Sequence, residues 1–133
     1  MTSKVTYVGD LRTSSEHIRS KTTILTDAPI DNHGKGEAFS PTDLVANALG
    51  ACVITIMAIK AKDMNVDMKG STAEVTKTMQ ENPRRIAKIE VNINMVGSFD
   101  DKTKLILERT AMTCPVHMSL HPELEQEVTF NWE

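Results

Sequence analysis

The side chains best suited to covalent chemistry in this chain are two cysteines, Cys52 and Cys114. A cysteine reacts as its thiolate, with a free pKa near ~8.5, and a helix N-terminus or a nearby cation lowers that value. Cys114 precedes Pro115, a residue suited to the first position of a helix, so the sequence puts Cys114 at an N-cap. Ser, Thr, Asp or Asn would cap better, and a cysteine in their place hints at a use for the sulfur. Cys52 falls in the middle of a long apolar stretch, where a helix dipole offers little. A nucleophile there needs a cation brought to it. Arg12 and Arg19 in the N-terminal strands, from either copy of the chain, are the candidates. The plainer reading stands beside this one: a lone cysteine on an apolar helix packs as a small hydrophobe.

Other groupings carry less. Cys114, His117 and His121 have the spacing of zinc or copper ligands around one helical turn. Pro122 argues that the helix stops before His121, and the set is incomplete without Cys52 or a carboxylate, so His117 and His121 read as exposed surface residues. Gly34 and Gly36 lack the strand, lysine and helix of a phosphate loop. Arg84, Arg85 and Lys88 read as the solvated tip of a hairpin, and Asp100 with Asp101 as dipole partners of a helix. No Ser-His-Asp order stands out, and no metal or cofactor is expected.

These side chains need elements to hold them. Ser40-Pro41-Thr42-Asp43 is the clearest helix start, with Ser40 as N-cap and Asp43 as a short capping-box partner. The helix should run to about Lys62, apolar nearly all round, and so be buried on most sides. Before it, Val5 to Leu11 and His17 to Thr26 read as two or three meander strands, with Gly9-Asp10 and Thr13-Ser14-Ser15 as turns. After it, Thr72–Met79 and Ile86–Val96 alternate as an antiparallel hairpin around Glu81-Asn82-Pro83-Arg84. A second helix over about 101–113 has Leu105 and Met112 seven apart on one face. A short helix from Cys114 to near Leu120 and a strand from Glu127 to Trp132 follow. The order predicts an α+β domain with a mostly antiparallel sheet packed on a long central helix.

The chain has 133 residues and no linker or repeat, which predicts a single domain over 1–133. Its net charge of −3 argues against nucleic acid as a partner. The longest apolar run, Val45 to Ala61, is broken by Asn47, Thr55 and Lys60, and Met1 to Tyr7 carries no secretory pattern. The reading is a cytoplasmic protein with no membrane partner, whose two thiols are catalytic, redox-sensing, metal-binding or inert rather than a structural staple. Aromatic residues make up 4% of the chain against 8 Met, so the core should be aliphatic and Met-filled. With so few large rings, a second subunit is expected to complete it.

The runs Ser40-Pro41-Thr42-Asp43-Leu44-Val45, Ala48-Leu49-Gly50-Ala51-Cys52 and Cys114-Pro115-Val116 resemble the OsmC/Ohr superfamily of thiol peroxidases and relatives. Thr26-Asp27-Ala28-Pro29 and Gly34-Lys35-Gly36-Glu37-Ala38-Phe39 resemble its OsmC-like branch, and the likeness covers essentially the whole chain. The resemblance implies an intertwined homodimer with two central helices and interfacial sites. It implies that Cys52 attacks an organic hydroperoxide, and that Cys114 then closes a disulfide reduced by a dithiol. That closure needs Cα atoms roughly 4.4–6.8 Å apart. The family's peroxidases place a Glu, paired with an activating Arg, where this chain has Thr42; Asp43 follows one residue later, and one residue turns a helical side chain by ~100°. Arg12 ranks over Arg19 as that Arg. The alternative is a non-catalytic binding or stress-related protein on the same fold, with an apolar interfacial cavity, and a third is a metal sensor through Cys114 and His117.

Overall fold

Short strand-forming runs at the N-terminus pair with one another before the chain enters its long helix. In the computed structural model, which describes residues 1–133, the elements are β1 (Ser3–Gly9), β2 (Arg12–His17), β3 (Thr23–Asp27), a 3-10 turn (Ile30–Asn32), α1 (Pro41–Asp63), β4 (Thr72–Gln80), β5 (Arg85–Met95), α2 (Asp101–Ala111), α3 (Pro115–Ser119) and β6 (Glu125–Trp132). They form two compact units that divide at Val45/Ala46, inside α1 rather than at a linker.

The first unit is an antiparallel meander, β1-β2-β3. Thr13, Ser14 and Ser15 lie within β2, opposite Tyr7, Thr6 and Val5, and not in a turn as their composition suggested. Hydroxyl residues favour turns only when no neighbouring strand offers the backbone a ladder. Here β1 and β3 flank them, and the Thr13 and Thr26 hydroxyls meet across the sheet. The turn is Gly9-Asp10-Leu11, all three with positive φ. After β3 the chain folds back tightly. Gly34 and Gly36 donate to Pro29 O at 2.9 Å and Ala28 O at 3.2 Å. A Cβ at Gly34 would lie 1.7 Å from the Ala28 carbonyl oxygen, so only glycine fits.

The helix start follows its sequence signal. Asp43 N–H donates to Ser40 Oγ at 3.1 Å, and Ser40 N–H donates back to Asp43 Oδ2 at 3.0 Å, a reciprocal cap.

In the second unit β5 is the middle strand of β4-β5-β6. Ile89, Val91 and Ile93 on one face of β5 are 0% exposed, as their alternation predicts. The sheet is mixed: β4 pairs antiparallel to β5, but β6 pairs parallel, Lys88 opposite Glu125 through Met95 opposite Trp132. A parallel neighbour needs a long crossover, and α2 with α3 supplies it. From α1, Ala46, Leu49, Gly50, Val53, Met57 and Ala61 are buried, spaced as one helical face. Gly50 sets how close that face comes to β4, since a Cβ there would lie 2.5 Å from Val75 Cγ2. The core is aliphatic, but of the eight methionines only Met57, Met68 and Met95 belong to it; Met118 is 72% exposed.

Helix α2 buries Thr103, Leu107 and Ala111, and Leu105 and Met112 are exposed, so the apolar face read from the sequence is not the one that packs. A spacing of four keeps Thr103, Leu107 and Ala111 in one stripe, whereas apolarity alone had selected the other side. By length and composition α1 could cross a membrane, so the polar interruptions seen in the sequence do not exclude that. It is also an ordinary core helix along its buried face.

A candidate dithiol site

Helix α1 carries Cys52 one position before the buried Val53, on the margin of the packed face, so its thiol is half-buried. Cys114 ends the crossover after α2 and is 0% exposed. It is the N-cap of α3, as Pro115 predicted: extended backbone at φ −60° and ψ 134°, with the sulfur accepting the His117 N–H at 3.2 Å. The fold brings the two thiols near enough to influence each other's ionisation. Burial raises the Cys114 thiol above its ordinary range, and the Cys52 thiol raises it further, while the His117 and Val116 N–H groups pull the other way. Cys114 is thus held as a thiol near neutral pH.

Cys52 opens onto a cavity of about 370 Å³ lined by Ala51, Cys52, Thr55, Ile56, Ile59 and Pro115. Its lining side chains are apolar apart from the Cys52 thiol and the Thr55 hydroxyl. A larger hollow of about 770 Å³ lies at the C-terminal end of α1, around Lys62, Asn65, Asp67 and Lys69. It contains neither thiol, so the smaller cavity is where thiol chemistry would take place.

Cys114, His117 and His121 do not form a metal centre. His117 is half-buried rather than exposed; its Nδ1 meets Gln126 Oε1 at 2.5 Å, and Gln126 Nε2 donates to the His117 carbonyl at 3.2 Å. His121 Nδ1 accepts the Glu123 N–H at 3.0 Å. No three His, Cys, Asp or Glu side chains in the protein are grouped to hold a metal ion.

The remaining predicted residues, Arg12 and Asp43, belong to the first unit. Arg12 is on β2, with its guanidinium paired to Asp27 at 3.3 Å and to Glu37. Asp43 takes part in the reciprocal cap with Ser40. Arg19 is exposed in the turn between β2 and β3. Residue-by-residue reading missed Asp27 and Glu37 as the partners of Arg12. The available signal was an acid closing an otherwise uncharged strand, Thr23-Ile24-Leu25-Thr26-Asp27. Its meaning depends on the register that sets Asp27 opposite Arg12.

The family model described as OsmC-like protein matches residues 34–129. A protein from Psychrobacter arcticus 273-4, named for osmotic stress induction and the detoxification response, is 54% identical; the match covers 98% of this chain and 96% of that one, with a TM-score of 0.95. The organic hydroperoxide resistance protein OsmC from Legionella pneumophila shares the fold at 15% identity, covering 98% and 97% of the two chains with a TM-score of 0.72. An organic hydroperoxide resistance protein from Elizabethkingia anophelis does so at 16% identity, covering 100% and 97% with a TM-score of 0.73. No curated protein sequence matches the chain.

Proposed function

The chain belongs to the OsmC-like protein family, and from that premise we propose that it is a cytoplasmic thiol-dependent peroxidase acting on organic hydroperoxides. The observation that carries this reading is the meeting of Cys52 with Cys114 beside an apolar cavity.

The Cys52 thiolate attacks the distal oxygen of the hydroperoxide. The O–O bond breaks, the sulfur becomes a sulfenic acid, and the departing alkoxide takes a proton and leaves as an alcohol. The Cys114 thiol then attacks the Cys52 sulfur. An S–S bond forms, and the sulfenic hydroxyl leaves as water with the Cys114 proton. A dithiol reductant restores both thiols by exchange and is itself oxidised to a disulfide. The carbon-lined cavity suits the organic part of the hydroperoxide, because burying apolar surface there is favourable. The resemblance to the family's peroxidases makes Arg12 the candidate for the cation that favours the Cys52 thiolate. Asp43 contributes by fixing the first turn of the helix that carries Cys52.

The working unit we infer is a homodimer. α1 exposes Val45 and Ile59, and the first sheet exposes Val5, Tyr7, Val8, Ile24 and Leu25, apolar side chains that a second copy would cover.

Cumene hydroperoxide consumption with excess dithiothreitol tests the chemistry. Wild type should turn over repeatedly, Cys52→Ser should fall to the background rate, and Cys114→Ser should consume one equivalent and stall. Equal rates for wild type and Cys52→Ser would reject the peroxidase and favour a non-catalytic binding protein.

A further inference from the structure

We infer that Gln126 is a positioning residue: its side-chain amide, carried on β6, grips His117 at two points and so sets where the Cys114 sulfur stands for disulfide closure with Cys52. The inference rests on the peroxide chemistry proposed above and adds what holds the second thiol. Cys52, Cys114, His117 and Gln126 all belong to the second compact unit.

Cys114 caps a helix that is too short to hold itself. α3 spans Pro115–Ser119, whereas isolated helices shorter than about 12–15 residues are marginal in water. Its own bonds are few: Met118 N–H donates to Cys114 O at 3.1 Å, and Ser119 Oγ donates to Pro115 O at 2.7 Å. No residue of α3 is fully buried, and Val116 packs only partly against the core.

Gln126 supplies the tether. Its backbone pairs opposite Ile89, a fully buried residue of the middle strand, so the sheet fixes its Cα. Its Nε2 donates to the His117 carbonyl at 3.2 Å, and its Oε1 meets His117 Nδ1. A carbonyl oxygen only accepts, so the amide nitrogen must face it; Oε1 is then left toward the ring, and the Nδ1 that meets it carries a proton. The N–H of this same His117 donates to Cys114 Sγ at 3.2 Å. One side chain thus holds both the ring and the carbonyl of the residue whose N–H holds the sulfur.

Closure is geometrically strict. The S–S bond is about 2.05 Å long with a torsion near ~90°, and a displacement of about 1 Å from a productive geometry can cost roughly 10²-fold in rate. Both hydrogen bonds of the Gln126 amide go to α3 and neither to α1. Gln126 therefore governs the attack of Cys114 and not the cleavage of the O–O bond at Cys52.

Dimedone separates the two steps, because it captures the Cys52 sulfenic acid as a thioether in competition with Cys114. The reduced protein is mixed with one equivalent of cumene hydroperoxide and excess dimedone, and the products are identified by mass spectrometry. Gln126→Met removes both hydrogen bonds at nearly constant side-chain length. It should raise the ratio of dimedone adduct to disulfide about tenfold over wild type, while hydroperoxide in this single turnover disappears at the wild-type rate. Gln126→Glu keeps an acceptor for the Nδ1 proton, loses the donor to the carbonyl, and should fall between the two. Val128→Ala removes packing from the same face of β6 and leaves the amide in place, so it should keep the wild-type ratio even where its melting temperature falls as far. An equal rise in Val128→Ala would make the effect a general loosening and overturn the role of Gln126. An unchanged ratio in Gln126→Met, beside a wild type that closes its disulfide, overturns that role and leaves the peroxidase reading standing. A wild type that yields neither adduct nor disulfide removes the peroxidase reading and this inference with it. Should Gln126→Met not fold, Gln126→Glu decides: a ratio equal to that of wild type overturns the proposal.

Discussion

Cys114 occupies a position where a hydroxyl or carboxamide would cap α3 better. What the sulfur gains there is a neighbour, Cys52, and complete exclusion from water. Both favour the protonated thiol, which makes Cys114 titration a contribution to stability. The unfolded thiol ionises near ~8.5 and the folded one higher. Between those values the unfolded chain binds fewer protons than the folded one, so stability falls as pH rises. The contribution is complete at neutral pH and is lost through the alkaline range up to the folded value. Urea unfolding of the reduced protein at pH 7 and at pH 10 should show a larger drop in midpoint for wild type than for Cys114→Ser. Equal drops would mean that Cys114 is not held as a thiol by the fold.

The second helix is where apolar composition and burial disagree. Leu105 and Leu107 are two residues apart, both with high helix propensity, and nothing local tells them apart. Leu107 is 0% exposed and Leu105 is 46% exposed, because Thr103 and Ala111, not Met112, share the face that meets the core. Leu107→Ala should therefore lower stability by about 2–5 kcal/mol. Leu105→Ala should change it by less than about 1 kcal/mol in the isolated subunit. Denaturant midpoints of the two variants check this, and the reverse order would restore the face expected from sequence. The N-terminus of the same helix needed no such correction. Asp100 caps it, accepting the Thr103 N–H at 2.7 Å, as its place before an acidic first turn implied.

For the molecule as a whole, the question is what covers α1 opposite its sheet. One face of the helix is packed, while Ala51, Thr55, Ala58 and Ile59 remain open to solvent in the isolated chain. A second copy is the expected cover. Size-exclusion chromatography with light scattering should give twice the 14.7 kDa chain mass. Ile59→Glu should shift the protein toward monomer, since an unpaired carboxylate in an apolar interface is strongly disfavoured. A wild-type monomer would reject the dimer and leave the dithiol arrangement within each chain untouched.

Much of the architecture was legible because its signals are local. The Ser40–Asp43 cap, the alternation of Ile89, Val91 and Ile93, the N-cap at Cys114 and the end of α3 before His121 each depend on residues a few positions apart. The cysteine motifs likewise pointed to the OsmC-like family, which the match over residues 34–129 bears out. Tertiary structure alone decided the rest. It turned Thr13–Ser15 from turn to strand, chose Leu107 over Leu105, made β6 run parallel to β5, and set Asp27 against Arg12. In each case the competing local conformations differ by little, and long-range pairing or burial, whose partners lie far along the chain, determines which one is adopted.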